Sequence, residues 1–222
     1  MQTFAEIRDR AADRKGGPEM LEMLLPVPED IDLAVLTDDR ILSQFSKRVF
    51  QAGFNWSVVE NKWPGFEAAF FGFDIGRNAM MSDEDLDAHL RDTGIIRHGA
   101  KILSVRDNAI FLSDLAREHG SAAAFFARWP SDDLAGLWEV MKKRGSRLGG
   151  VTGQYALRFL GKDSFILSRS VVASLHQAGV IDGPATSKSA LRKVQAAFNA
   201  WREESGESYT RISRILAMSV DA

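Results

Sequence analysis

Apolar residues in this chain recur at steps of three and four. Ile102, Val105, Ala109 and Leu112 set the pattern, and Leu134, Leu137, Trp138 and Met141 repeat it, as do Leu191, Val194, Phe198 and Trp201 and, near the end, Ile212, Ile215 and Leu216. Such spacing gathers apolar side chains on one face of an α-helix. No alternating run is long enough for a strand, so no β-hairpin is expected. The expected fold class is all-α, with eight to ten helices joined by short loops and no repeat of fixed period.

Capping chemistry sets several boundaries. One helix begins near Asp38 and Asp39, runs through Phe45, Val49 and Ala52 and ends about Gly53, its first-turn acids opposing the helix dipole. Ser82-Asp83-Glu84-Asp85 has the form of a capping box, with Leu86 and Leu90 as the apolar face and Gly94 as the stop. A longer helix starts about Gly99. Pro130 breaks the chain, and Ser131 is placed to cap the next helix. Residues 1–36 contain Gly16, Gly17, Pro18, Pro26 and Pro28 and predict a short helix with an irregular connection. They read as an N-terminal extension packing on a body formed by residues 37–222.

Composition excludes several classes. No run approaches the roughly 18 to 20 apolar residues of a membrane helix, and Met1–Lys15 mixes acids and bases rather than forming an apolar secretory leader. The chain has no cysteine, hence no disulfide framework, thiolate metal site or cysteine nucleophile. A cytoplasmic protein without metal or cofactor is the expectation. The net charge of −2 conceals an asymmetry: residues 141–222 hold 13 Lys and Arg against 6 Asp and Glu, a balance of +7, and residues 1–140 a balance of −9. A basic segment within a neutral protein points to an anionic partner.

The basic half opens on a hairpin of helices, about residues 137–161. An amphipathic helix stops at Gly145, a loop runs from Leu148 to Thr152, and a second helix starts near Gly153 and stops at Gly161. A glycine-rich turn before a helix start presents free N–H groups and the positive end of a dipole, which together hold a phosphate oxygen. Gly149, Gly150, Thr152 and Gly153 are the candidate DNA-gripping residues, with Lys142, Lys143 and Arg147 (and Arg144 beside them) supplying long-range attraction.

The loop resembles the Leu-x-Gly-Val-Gly-x-x-x-Ala signature of helix-hairpin-helix DNA glycosylases through Leu148, Gly150, Val151 and Ala156, with Gly149 and Thr152 standing where proline and glycine are usual. A second stretch, Gln51-Ala52-Gly53-Phe54-Asn55-Trp56, is similar to the Gln-Ala-Gly-Leu-Ser-Trp motif of the DNA-3-methyladenine glycosylase I family. Val59, Lys62, Phe66, Phe70, Phe73 and Asp74 continue that likeness, followed by Gly94-Ile95-Ile96-Arg97-His98, Lys101-Ile102 and Asn108-Ala109. The resemblance implies two helical lobes with a cleft between them. It also implies a monomeric enzyme of base-excision repair that binds double-stranded DNA containing alkylated bases such as 3-methyladenine and hydrolyses the N-glycosidic bond with water as nucleophile. A non-catalytic DNA-binding relative is the alternative.

Such an enzyme extrudes its target base and needs a ring to stack it on, worth roughly 1 to 3 kcal/mol. The resemblance gives that role to Trp56 and places Gln51, Asn55 and Arg48 at the base pocket. Trp63, Phe66, Phe70, Phe71 and Phe73 read as core. Arg97, His98 and Lys101 are candidate contacts to the phosphates or the hairpin.

Three departures stand out. Arg48 occupies the position where the family has a base-reading glutamate, so either Arg48 turns away or the substrate differs. The zinc that ties the termini of typical members lacks its ligands. The aspartate that other helix-hairpin-helix glycosylases place beyond the hairpin falls near Ser168 or Arg169, with Asp163 too early, and Gln154 stands where lyases carry lysine. No catalytic residue is assigned, and a monofunctional hydrolase is expected.

Overall fold

The computed structural model describes residues 1–27 and 31–221, so Pro28 lies outside the described residues. Among these residues every regular element is helical. The α-helices are α1 (Phe4–Lys15), α2 (Pro18–Met23), α3 (Asp38–Gln51), α4 (Trp56–Ala69), α5 (Ile75–Ala79), α6 (Asp83–Arg91), α7 (Gly99–His119), α8 (Ala122–Arg128), α9 (Leu134–Arg144), α10 (Val151–Phe159), α11 (Arg169–Gln177), α12 (Lys188–Ser205) and α13 (Tyr209–Met218). The number exceeds the expectation because α2, α5 and α8 have six, five and seven residues. None completes two turns, which is too short to show an apolar stripe.

Boundaries agree with the sequence where a cap is explicit. Ser82 and Asp85 form the reciprocal capping box of α6, and Gly206 closes α12 in the left-handed conformation. Elsewhere the structure corrects the reading. The N-terminal segment forms two helices, since Thr3 and Glu6 make a second capping box and Pro18 sits in the first turn of α2. No residue of α6 is buried, Leu90 is exposed and Leu86 half-buried, and the helix ends at Arg91 before Gly94. Ser131 opens a 3₁₀ turn instead of capping α9. Asp133 takes that part, accepting from the Gly136 N–H at 3.1 Å.

The chain divides into two compact units. The first comprises Met1–Asp30, Pro130–Gly136 and Asp163–Ala222. Within it α1 packs on α2, α12 and α13, and α11 on α13. The Phe165 and Phe198 rings stack at 3.9 Å, and the buried Trp201 donates its indole N–H to the Gln2 carbonyl at 3.1 Å.

The second unit, Ile31–Trp129 with Leu137–Lys162, is built on α3 and α7. Trp63, Phe66, Phe70 and Phe73 are buried there as predicted, their rings stacked along α4 and the turn after it. Phe71 departs from the prediction: it is 48% exposed, has φ +55°, and carries the Arg77 guanidinium 3.6 Å above its ring. Asp38, expected to oppose the dipole of its own helix, accepts from the Ala122 and Ala123 N–H groups at 3.2 and 3.1 Å. It thereby joins the start of α8 to the start of α3. No helix among the described residues is long and apolar enough to cross a membrane.

Candidate base platform and DNA-gripping hairpin

Trp56 is the first residue of α4. Asn55, an exposed residue, caps that helix through its side chain, which accepts from the Ser57 N–H at 2.9 Å. The turn leading to it is pinned by Lys101. This side chain is buried, and its ammonium donates to the carbonyls of Phe50 at 3.1 Å and Ala52 at 2.5 Å. It closes the C-terminal end of α3, where carbonyls lack helical partners and a cation is favoured. Burial, and then the charge of Arg147, lower its pKa. Lys101 therefore holds the Phe54–Trp56 approach in place and is not exposed to DNA. Of the residues predicted with it, Arg97 is exposed and His98 is the half-buried N-cap residue of α7.

Three helices meet at Trp56. Its ring stands edge-on to Tyr155 at 5.4 Å and to Phe159 at 6.2 Å, both from α10, and it stays 41% exposed. Arg48 comes from α3. Its guanidinium carbon lies 3.9 Å from the Phe159 ring centroid and 5.2 Å from that of Trp56. Arg48 therefore does not turn away. It is 5% exposed, and burial pushes its pKa down to about 10 against the opposing pull of Glu60, which leaves it cationic at neutral pH. Glu60 lies 3.7 Å from Arg48 and 3.0 Å from Lys47, and accepts from the Gln51 amide at 2.9 Å.

Two polar atoms of this cluster are buried without a hydrogen-bond partner, Arg48 Nε and Gln51 Oε1. Each such atom costs about 1 to 3 kcal/mol.

The hairpin consists of α9, the turn and α10. Asn108, fully buried on α7, clasps the turn, donating to the Ser146 carbonyl at 3.0 Å and accepting from the Ser146 N–H at 2.8 Å. α10 starts at Val151, two residues before the predicted Gly153, because Gly150 supplies the break at φ +61° and ψ −147°, a conformation open essentially to glycine alone. Gly153 is glycine for a different reason: a Cβ there would sit 2.2 Å from the Leu148 carbonyl oxygen. It is buried, Gly150 is exposed, and Gly149 and Thr152 are half-buried.

Lys142, Lys143 and Arg147 are exposed. Lys143 pairs with Glu139 at 2.8 Å, and Arg147 donates to the Ala100 carbonyl at 3.2 Å. Arg144 forms a two-pronged pair with Glu118 at 2.8 and 2.6 Å.

The structure thus gathers Trp56, Arg48 and Gln51 at one point and places the glycine turn on the hairpin whose second helix walls that point. Tyr155 and Phe159 are the residues that sequence reasoning missed. Their i, i+4 spacing, which puts both on one helix face, is the signal that marks them. Asp163, expected to be too early for catalysis, accepts from the N–H groups of Tyr209 and Thr210 at 3.1 and 2.9 Å and caps α13. Ser168 caps α11, and Gln154 is buried. Among the described residues no three His, Cys, Asp or Glu side chains converge to hold a metal ion, so the residues present do not fit the zinc of the family. A surface pocket of about 400 Å³ is lined by Asp39, Phe71, Gly72, Asp74, Ile75 and Gly76. None of these belongs to the platform.

The methyladenine glycosylase family model matches residues 34–143. The chain is 41% identical over 59 residues to DNA-3-methyladenine glycosylase 1 of Escherichia coli (strain K12) and 39% identical over 59 residues to DNA-3-methyladenine glycosylase of Haemophilus influenzae; each match takes in 27% of this chain and 32% of the relative. A crystal structure of 3-methyladenine DNA glycosylase I superimposes with a TM-score of 0.50 at 25% identity, over 62% of this chain and 81% of that one. A structure of 3-methyladenine DNA glycosylase I from Staphylococcus aureus, concerned with 3-methyladenine recognition, superimposes with a TM-score of 0.53 at 21% identity, over 70% of this chain and 91% of that one, which is a likeness of fold. The matched segment carries α3, α4 and α7, the helices that supply Arg48, Gln51, Trp56 and the lysine cap, and over that segment the chain matches the methyladenine glycosylase family.

Proposed function

We propose that the chain is a DNA N-glycosylase of base-excision repair that extrudes a damaged base from double-stranded DNA and hydrolyses its N-glycosidic bond. The observation that carries this reading is Trp56: a half-exposed indole held edge-on by two aromatic rings of the hairpin's second helix. A closed core has no use for a tryptophan so placed, whereas an extruded base needs a rigid ring beside the element that grips the phosphates. The relatives named for 3-methyladenine make alkylated bases the first class to assay.

Water is the nucleophile in this reading. Its oxygen bonds to C1′, the base takes the electron pair of the broken C–N bond, and the proton lost by the attacking water passes to solvent when the base departs neutral, or to the base when it departs as an anion. Gln154, where a lyase would need an amine, supports a monofunctional enzyme that leaves an abasic site and an intact strand. Extrusion, stacking and exclusion of bulk water supply most of the rate. Lys142, Lys143, Arg147 and the first turn of α10 would bind the phosphates of the duplex, with the protein acting as a monomer in the cytoplasm.

The test is release of free base from methylated duplex DNA, with strand breaks scored only after alkali. Released base with unbroken strands supports the reading; breaks without alkali would reassign the chain to the lyases. One observation favours a second reading: Arg48 already lies against Trp56. A chain that binds DNA with steep salt dependence and releases no base would be a binding relative that has lost the chemistry.

A further inference from the structure

The charge against Trp56 bears on which base the platform accepts. Lys47, Arg48 and Glu60 lie within 3.7 Å of one another's charged atoms through Glu60, and together carry one net positive charge. A base stacked on the indole lies about 3.5 Å from it. With Arg48 5.2 Å from the ring centroid, even a base on the opposite face sits within about 9 Å of the guanidinium. At an effective dielectric near 20 this disfavours a cationic base over a neutral one by roughly tenfold. A ring whose electron-rich face already holds one cation also attracts a second one less.

The leaving group reverses the sign. A cationic base departs neutral, so it only sheds the repulsion that it met on binding and shows no net gain relative to free enzyme and DNA. A neutral base departs as an anion, holding the electron pair of the broken C1′–N bond until it takes a proton from water, and a fixed guanidinium stabilises that charge as it develops.

The unpartnered atoms add a pattern. Glu60 takes the Gln51 amide N–H at 2.9 Å, which fixes Oε1 as the free acceptor, and Arg48 Nε is the free donor on a side chain that faces the same carboxylate oxygen. A free donor and a free acceptor are the two partners that a lactam edge asks for, since its ring carbonyl accepts and its adjacent ring N–H donates. The amidine edge of an unmodified adenine or cytosine presents an amino donor where the carbonyl would be.

We propose that the Trp56 platform takes a neutral, carbonyl-bearing lactam base of the kind that deamination produces, in preference to a cationic alkylated base, and that Arg48 stabilises the departing anion. This rests on the glycosylase reading and selects a substrate class within it.

The experiment compares release of free base from duplexes carrying hypoxanthine or uracil with release from methylated duplex DNA, for the wild-type chain, Arg48→Gln and Glu60→Gln, each checked by thermal melt. Because a cationic base leaves more easily without help, each release rate is divided by the uncatalysed rate for the same duplex, and the wild type is expected to show an enhancement at least tenfold larger for a lactam base than for 3-methyladenine. Arg48→Gln should remove that advantage. Should it fail to fold, Glu60→Gln keeps the test: at a half-exposed position it removes one negative charge and retains an acceptor for Gln51, so the preference for the neutral base should widen. Hypoxanthine alone or uracil alone would fix the ring size. An equal or larger enhancement for 3-methyladenine, or a ratio that Glu60→Gln leaves unchanged, overturns the proposal while the glycosylase reading stands. Release of no base from any duplex overturns both.

Discussion

Two aromatic clusters occupy the same unit and share α4, and they differ in almost every physical respect. Trp63, Phe66, Phe70 and Phe73 are buried, nearly parallel and stacked at 4.9 to 6.1 Å, with the Trp63 indole N–H donating to Ser43 and Glu67. Trp56, Tyr155 and Phe159 meet edge to face, none is buried, and the cluster leans on a buried cation that lacks a full set of partners. The first arrangement removes apolar area from water and satisfies its one polar edge. The second leaves ring surface in water and polar atoms unsatisfied, which costs stability and is useful only if something else is to lie there. The difference separates core from site more sharply than aromatic content does, since both clusters look alike in composition.

The largest expected effect lies in the closed cluster. Phe66→Ala removes a fully buried ring and should cost about 3 to 5 kcal/mol in a denaturant melt. A loss below 1 kcal/mol would mean that the closed cluster is not the core of its unit. At the hairpin, Gly153→Ala drives a Cβ into the Leu148 carbonyl and should cost about 1 to 3 kcal/mol and weaken DNA binding. Gly149→Ala, which meets the Lys142 stem at an ordinary 3.5 Å, should be close to silent in the melt.

Smaller still is a pH effect confined to the closed cluster. Burial pushes the Glu67 carboxyl up, but hydrogen bonds from Arg40 and Ser43, the charge of Arg40 and the Trp63 N–H outweigh it and leave the pKa below its usual 4.5. A depressed folded-state pKa gives stability that is present above the unfolded value and lost as pH falls through the folded one. Stability should therefore drop below about pH 4.5, and Glu67→Gln should flatten that limb of a melt-against-pH curve. The smallest effect belongs to the rim of the hairpin. Lys142→Ala should reduce the slope of log affinity against log salt by about 1 and leave the melt unchanged.

Much of this was legible in the sequence, for reasons that differ by element. Long helices announced themselves by periodicity, and the start of α6 by its capping box. The start of α10 was placed two residues late, because Gly150 breaks the chain by backbone conformation rather than by a side-chain cap. Short helices such as α5 escaped because one turn has no period. Trp56 was found by its motif, whereas its walls were not, since Tyr155 and Phe159 lie a hundred residues away and only the packing of α10 on α3 brings them in. In the sequence Lys101 reads as a contact to the phosphates or the hairpin, and nothing local to it says that the carbonyls of Phe50 and Ala52 are its partners. For Arg48 the sequence left two outcomes, a side chain turned away or a different substrate, and packing places the side chain against the Trp56 and Phe159 rings.

The most direct test of the open cluster's role is release of free base from methylated and deaminated duplex DNA by the intact chain and by Trp56→Ala, with a melt of each. Loss of one stacking surface should slow release roughly ten- to hundredfold while the half-exposed position leaves the melting transition nearly unmoved. Equal release from both proteins, or a collapse of the Trp56→Ala fold comparable to that of Phe66→Ala, would contradict the assignment of Trp56 as the base platform.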